Sequence, residues 1–399
     1  MKKILLLTTI YPSPDLALLN STNVCHYFAK EWVKMGYDVR VIFNYPIYSR
    51  IVHLGAELLG NKAASIGQSY FITKHIKGIS KYEIDGVKIT RIPLYKCIPK
   101  IAVKKQVIKN HTDLIIKDLE NDGFVPNSIV AHFCYPHLEM VANLKYYYGA
   151  KTAIVNHIQS LPLKKYIGPN FKDFFQKVDA WGFRSSNIKL NFEKQFGLQK
   201  NHFLCYSGVP NQYILNEGKL FTEKITKFIY VGSLIERKHP LKVLVGLENS
   251  KTLDSYQLIY VGEGILRKKI AQEQSNNQLK GEIDLKGNLP RVEVLQCLDA
   301  ADCFIMISQG ETFGLVYLEA MARGLITVAS SGEGMDEIIV DGYNGFFCEA
   351  GSSKSLSKVI DHINSLSAKE KMDISNHAIE TAKKFSDTIV AKNYLDSII

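Results

Sequence analysis

Acidic residues are scarce in the first half of this chain, and paired cysteines, metal-ligand spacings and long apolar runs are missing from all of it. The 399 residues hold seven cysteines, each standing alone, with no Cys-x-x-Cys. An odd, dispersed set argues against a disulfide framework and for a reducing compartment. No Asp-x-Asp and no clustered His/Cys set marks a metal centre, so none is expected. No run reaches the ~18 apolar residues of a membrane span. The opening MKKILLLTTI looks like the start of a signal peptide. Its apolar stretch is short, however, and Tyr11-Pro12 follows without a small-residue cleavage site, so a first buried strand is expected instead. There are no repeats, no low-complexity tracts and no compositionally disordered region.

What is present suits two domains with a sizeable core: hydrophobic residues make up 46%. Positions 1–212 carry 28 Lys+Arg against 14 Asp+Glu, and positions 213–399 carry 21 against 25, within a net charge of +10. A basic half joined to a slightly acidic one fits a lobe that faces an anionic partner, or a lysine-rich surface kept for solubility.

Apolar runs bounded by turn residues alternate with helical patterns, which predicts β-α units, parallel sheets and an α/β fold. Strands are expected at 4–9, 38–43, 128–132, 152–157, 180–184 and 203–206, then at 228–231, 257–261, 283–286, 303–307, 327–329 and 345–348. The predicted domains are 1–212 and 213–384, with a final helical segment at 385–399. Ligands of such sheets bind outside the carboxyl ends of the strands.

The most informative stretch is SQGETFGLVYLEAMARG, Ser308 to Gly324. Glu311 is expected in a turn between a buried strand and a helix, and Glu319 about two helical turns further on, ~12 Å away at 1.5 Å per residue. That separation approximates the span from the hexose to the ribose of a nucleotide-diphosphate sugar. A helix N-terminus between them offers unsatisfied N–H groups to a diphosphate. Read singly, Glu311 is also a plausible helix-start residue and Glu319 a solvated one. Val231-Gly232-Ser233-Leu234 with Glu236-Arg237-Lys238 follows a strand. Its glycine admits a ligand close to the backbone, and its cations suit a diphosphate. Val261-Gly262-Glu263-Gly264 repeats the strand-to-glycine pattern, and Lys286-Gly287 ends a further strand.

Glu311, seven residues, then Glu319, inside GETFGLVYLEAMARGL and followed by VASSGEGMDEIIVDGYNGFF, resembles the signature of family 4 glycosyltransferases. The resemblance implies a GT-B fold of two Rossmann-like lobes with an interdomain cleft, the last helix returning to the N-terminal lobe. It implies a retaining, metal-independent hexosyltransferase with no cofactor, using a UDP-sugar or GDP-sugar as co-substrate. By the same resemblance, Glu311 meets the donor sugar's hydroxyls and Glu319 the ribose. Gly314, Leu315 and Val316 offer N–H groups to the diphosphate. Gly232, Ser233, Gly262 and Glu263 line the nucleotide, and Lys286 and Gly287 lie beside the base. Lys238 matches the family's lysine. Ser233 stands where an arginine is usual, and Arg237 is expected to substitute for it. His157, at a strand end in TAIVNHIQS, is expected near the sixth carbon of the transferred sugar, although Ile158 replaces the usual glycine after it. His132 is a second strand-end histidine, read as shaping an acceptor pocket. Arg184, ending another strand, is expected to face the cleft. The loop 11–23 has Ser21-Thr22-Asn23 where a Gly-Gly is common.

Leu161–Lys177 interleaves lysines with aromatics, and 101–119 is basic and amphipathic. Such segments suit an anionic membrane surface or an ordinary packed helix. The resemblance, with this basic lobe, points to a cytoplasmic enzyme, peripheral at the inner face of the cell membrane, with a glycan or lipid-linked acceptor and a place in cell-surface polysaccharide synthesis. A sugar-nucleotide epimerase on the same scaffold is the alternative enzyme. A basic nucleic-acid-binding protein explains the charge but lacks any such motif, so no nucleic acid is expected.

Overall fold

Runs such as Ser128–His132 and Ile326–Ser330 are buried at every residue, the pattern of strands covered on both faces. They form the centres of two Rossmann-like sheets. The computed structural model describes residues 2–16, 23–59, 75–96, 101–158, 162–169, 171–276 and 278–399. The expectations placed on Ser21 and Thr22 lie outside these residues.

The chain divides into two units, Met1–Tyr206 with Asp387–Ile399, and Ser207–Ser386. The first holds strands β1 (Lys3–Thr8), β2 (Asp38–Ile47), β3 (Ser80–Ile84), β4 (Val87–Tyr95), β5 (Ser128–His132), β6 (Lys151–Asn156), β7 (Ala180–Phe183) and β8 (His202–Leu204). Their order is β3-β4-β2-β1-β5-β6-β7-β8. All pairs are parallel except β3 with β4. That antiparallel pair departs from the all-parallel expectation. Asp85-Gly86 joins it with both residues at positive φ, 52° and 77°, the geometry of a two-residue hairpin turn.

The last helix, Asp387–Ile398, belongs to this first unit. Trp32 Nε1 donates to the Ala391 carbonyl at 2.9 Å, and Tyr394 meets Trp32 and Phe28 edge-on. Leu5, Leu7, Ile129, Ala131 and Ile154 lie at the centre of the core.

The second unit holds β9 (Lys227–Val231), β10 (Tyr256–Val261), β11 (Gly281–Gly287), β12 (Cys303–Ile305), β13 (Ile326–Ser330) and β14 (Phe346–Cys348). The order is β11-β10-β9-β12-β13-β14, parallel throughout. The strand order therefore reverses between β9 and β12, which makes their carboxyl ends the expected ligand crevice of this sheet.

The basic segments turn their apolar residues inward. Tyr166, Phe171, Phe174 and Phe175 are partly buried and pack against the apolar core of the first unit. Lys164, Lys165, Lys172 and Lys177 remain exposed. In the helix Lys105–Asn121, Ile108, Ile115 and Leu119 are likewise buried. Arg184 does not project from its strand end: it is buried, and its guanidinium donates to the Cys205 carbonyl at 2.6 Å.

Candidate functional site

The segments after β9 and β12 meet at the reversal point of the second sheet. After β9 the chain runs through Gly232 and Ser233 into a single 3₁₀ turn, Glu236–Lys238. The α-helix starts only at Pro240, so Arg237 and Lys238 precede it. His239, held at φ 50°, makes the bend between them. After β12 the chain passes Ser308 and a turn at Gly310-Glu311, and Gly314 in the left-handed region (φ 76°) starts the helix Leu315–Ala322. The two segments are tied by Gln309 N–H donating to the Arg237 carbonyl at 2.7 Å.

Lys238 Nζ stands 3.3 Å from Glu311 Oε2, with both side chains largely buried. The pair is electrostatic only, because Glu311 Oε2 makes no hydrogen bond. Lys238 Nζ also lies 3.8 Å from Met306 Sδ. Tyr317, on the following helix, braces the strand end by donating to the Met306 carbonyl at 2.6 Å.

Glu319 is the fifth residue of the helix Leu315–Ala322, about one turn from its start and not two, because the residues that directly follow Glu311 belong to the turn. It is 5% exposed and ion-paired with Arg291, whose guanidinium carbon lies 5.7 Å from the centre of the Tyr213 ring. A fully buried glutamate would otherwise be costly, and the arginine offsets that cost.

The remaining predicted residues line the neighbouring strand ends. Gly232 N–H donates to the Val261 carbonyl at 2.9 Å, and Gly262 N–H to the Gly287 carbonyl at 2.7 Å. A Cβ on Gly262 would fall 2.1 Å from the Gly232 carbonyl oxygen, so only glycine admits this approach. Glu263 is committed to Arg267 at 2.5 Å. Lys286 points to Asp284 at 2.6 Å, and that pairing raises its pKa.

In the first unit, half-buried His157 stacks on Phe133 at 4.2 Å between ring centres. Its Nε2 lies 2.9 Å from Nδ1 of fully buried His132. Tyr394 approaches His132 Nε2 at 3.5 Å. Burial, then His132 and Arg184, hold His157 well below its ordinary pKa. Burial, then Arg184 and His137, lower His132 to about 3. Both imidazoles are therefore neutral near pH 7. The structure thus places Glu311, Lys238, Arg237, Glu319 and Gly314–Val316 around one helix start in the second unit, and His157 at a strand end of the first.

Residues 215–385 match the family model described as Glycosyl transferases group 1. Those residues are a group 1 glycosyltransferase domain.

The group 1 domain is accompanied by broader likeness. The uncharacterized glycosyltransferase MJ1178 of Methanocaldococcus jannaschii is 28% identical over 190 residues, 47% of this chain and about half (51%) of that protein. The putative teichuronic acid biosynthesis glycosyltransferase TuaC of Bacillus subtilis is 23% identical over 360 residues, covering 84% of this chain and 82% of its own. Among solved structures, Anabaena Alr3699/HepE in complex with UDP-glucose covers 100% of this chain and 99% of its own, with a TM-score of 0.66 at 15% identity. The architecture, two Rossmann-like sheets with such neighbours along the whole chain, is GT-B.

Arg291, Tyr213 and Glu333 were not anticipated. Arg291 reaches Glu319 from the first turn of the helix Arg291–Ala300. Glu333, in the loop between β13 and β14, accepts the Gly310 and Glu311 N–H groups at 2.9 and 2.7 Å. Nothing in the spacing around these three residues ties them to Glu311 or Glu319.

Proposed function

We propose that the protein is a retaining glycosyltransferase of the family 4 type. It would move a hexose-type sugar from a UDP-sugar or GDP-sugar to a glycan or lipid-linked acceptor in cell-surface polysaccharide synthesis. The observation that carries this reading is Glu311, buried beside Lys238 with a carboxylate oxygen that makes no hydrogen bond. Buried acceptors are almost always satisfied, and sugar hydroxyls are the donors this one lacks. Glu319, paired with Arg291, takes the ribose diol. The N–H groups of Gly314, Leu315 and Val316 receive the diphosphate. Gly232, Ser233, Gly262 and Glu263 line the nucleotide, and Lys286 and Gly287 stand beside the base. His157, neutral, contacts the transferred sugar.

In this scheme the bond from the anomeric carbon to the diphosphate oxygen breaks, and its electron pair leaves with the nucleoside diphosphate. The acceptor hydroxyl bonds to the same carbon on the same face and passes its proton to the departing phosphate. Lys238 and Arg237 face the charge that grows on that phosphate, which lowers the barrier without a metal ion. TuaC's putative place in teichuronic acid biosynthesis and the UDP-glucose held by HepE favour the same reading. An epimerase would need catalytic carboxylates in the first unit; two of those there, Asp15 and Asp85, are paired with Arg91 and Lys30.

A thermal-shift panel of UDP- and GDP-sugars on the full chain tests the proposal. One donor is expected to raise Tm, and Glu319→Ala to abolish that rise. If no nucleotide sugar stabilises the chain, the reading fails.

The exposed lysines of the first unit, Lys105, Lys109, Lys164, Lys165 and Lys172 among them, suit an anionic membrane at the inner face. No helix among the described residues is long and apolar enough to cross a membrane. Salt-reversible sedimentation with phosphatidylglycerol vesicles is expected, and absence of binding at low salt would rule this part out.

A further inference from the structure

One carboxylate beside the candidate site spends its hydrogen bonds on a turn. Glu333 Oε1 accepts from Gly310 N–H at 2.9 Å and Oε2 from Glu311 N–H at 2.7 Å. The next residue returns the contact, with Gly334 N–H donating to the Glu311 carbonyl at 3.2 Å. A Cβ on Gly334 would sit 2.7 Å from backbone atoms of Thr312 and Phe313, so the two loops touch main chain to main chain. Both polar groups of the Glu311 backbone are thereby held by consecutive residues of another loop, while its side chain faces Lys238.

We propose that Glu333 is a positioning residue for Glu311: it locks the turn after β12 and so fixes the carboxylate that would hold the donor sugar. This inference rests on the reading of Glu311 given above. Burial foremost, and to a smaller degree the like charges of Glu311 and Asp336, raise the Glu333 pKa, while the two N–H donors pull it down. A charge kept in such a place has a compensating role, and the two N–H groups are what it engages. Hydrogen bonds to an ionised carboxylate are about twice as strong as neutral ones. Gly310, at φ 68° with no atom near where its Cβ would stand, supplies no packing that would hold the turn otherwise. Misplacement of a reacting group by ~1 Å is enough to cost about 10²-fold in rate. Anchoring the Glu311 main chain therefore bears on catalysis as well as on folding.

The test compares the full-length chain with Glu333→Ala, Glu333→Gln and Glu311→Ala. Hydrogen–deuterium exchange of peptides spanning 306–314 reads the turn without any ligand. Calorimetric binding of UDP and of UDP-glucose separates the nucleotide from the sugar. Glu333→Ala is expected to speed exchange at Gly310 and Glu311 roughly tenfold, the loss of one hydrogen bond's worth of protection. It should also erase the affinity advantage of UDP-glucose over UDP while leaving the UDP Kd within about twofold. Glu333→Gln should recover part of both, because its amide oxygen still accepts one N–H. Unchanged exchange in Glu333→Ala overturns the inference. So does faster exchange with the UDP-glucose advantage intact, since the bond would then be structural only. If Glu311→Ala keeps that advantage, the reading of Glu311 itself fails, and this arm tells the two failures apart.

Discussion

The two sheets finish their strands in different materials. In the second unit the strand ends run into glycine, and Gly232, Gly262 and Gly287 stack main chain on main chain. In the first unit buried polar side chains sit in and at the ends of the strands. Asn44 is bonded to His137 at 3.0 Å and to His111 at 2.7 Å, and His132 to His157. A site made of backbone tolerates few substitutions at its glycines but is indifferent to pH. A network of neutral buried histidines is the reverse: its cost appears when protons are offered.

The largest effect expected from this contrast is acid sensitivity of the first unit. Burial lowers His132 to about 3, and His111 and His137 to about 4, against about 6.5 in the unfolded chain. Folding depresses these values, so the unfolded state takes up protons that the folded state refuses. The stability they contribute is complete above pH 6.5 and is lost as pH falls from there toward 4. Each unit of separation is worth about 1.4 kcal/mol, and three groups act together. Both tryptophans, Trp32 and Trp181, lie in the first unit, so tryptophan emission during urea unfolding at pH 7.5 and pH 5 reports that unit alone. Equal midpoints at the two pH values would break the comparison.

Gly262→Ala comes next. Its new methyl would stand 2.1 Å from the Gly232 carbonyl, and overpacking of this kind costs roughly 1–3 kcal/mol. Far-UV circular dichroism should show a lowered Tm, with tryptophan emission nearly unaffected. A melting curve like that of the parent chain would refute the close-approach account. The smallest effect is expected at Gly310→Ala, where no atom lies within 4 Å of the added carbon. Only the positive φ is penalised there, by about 1–2 kcal/mol. A larger loss than at Gly262 would invert the comparison.

How far the sequence can be read follows the same division. The strands of the second sheet stand out because each is an apolar run closed by glycine or a polar turn. The hairpin at β3 and β4 has a single local sign, the turn signal Asp85-Gly86 between alternating residues. The aromatics of 161–177 looked equally suited to a membrane and to a core, since composition does not say which way a ring points. Arg184 at a strand end carried no sign that it would be buried. The helix at 315–322 was legible from its spacing; that Gly314 opens it from the left-handed region was not.

By itself, the sequence determined the alternation of strands and helices, the glycine-lined strand ends and the glutamates that flank a helix start. These depend on neighbours within a few residues, where chain geometry leaves few choices. The tertiary structure alone decided that Lys238 faces Glu311, that Arg291 neutralises Glu319, and that Glu333 grips the turn before the helix. Those partners come from separate connections between strands, and only the order of the strands in the sheet brings them together.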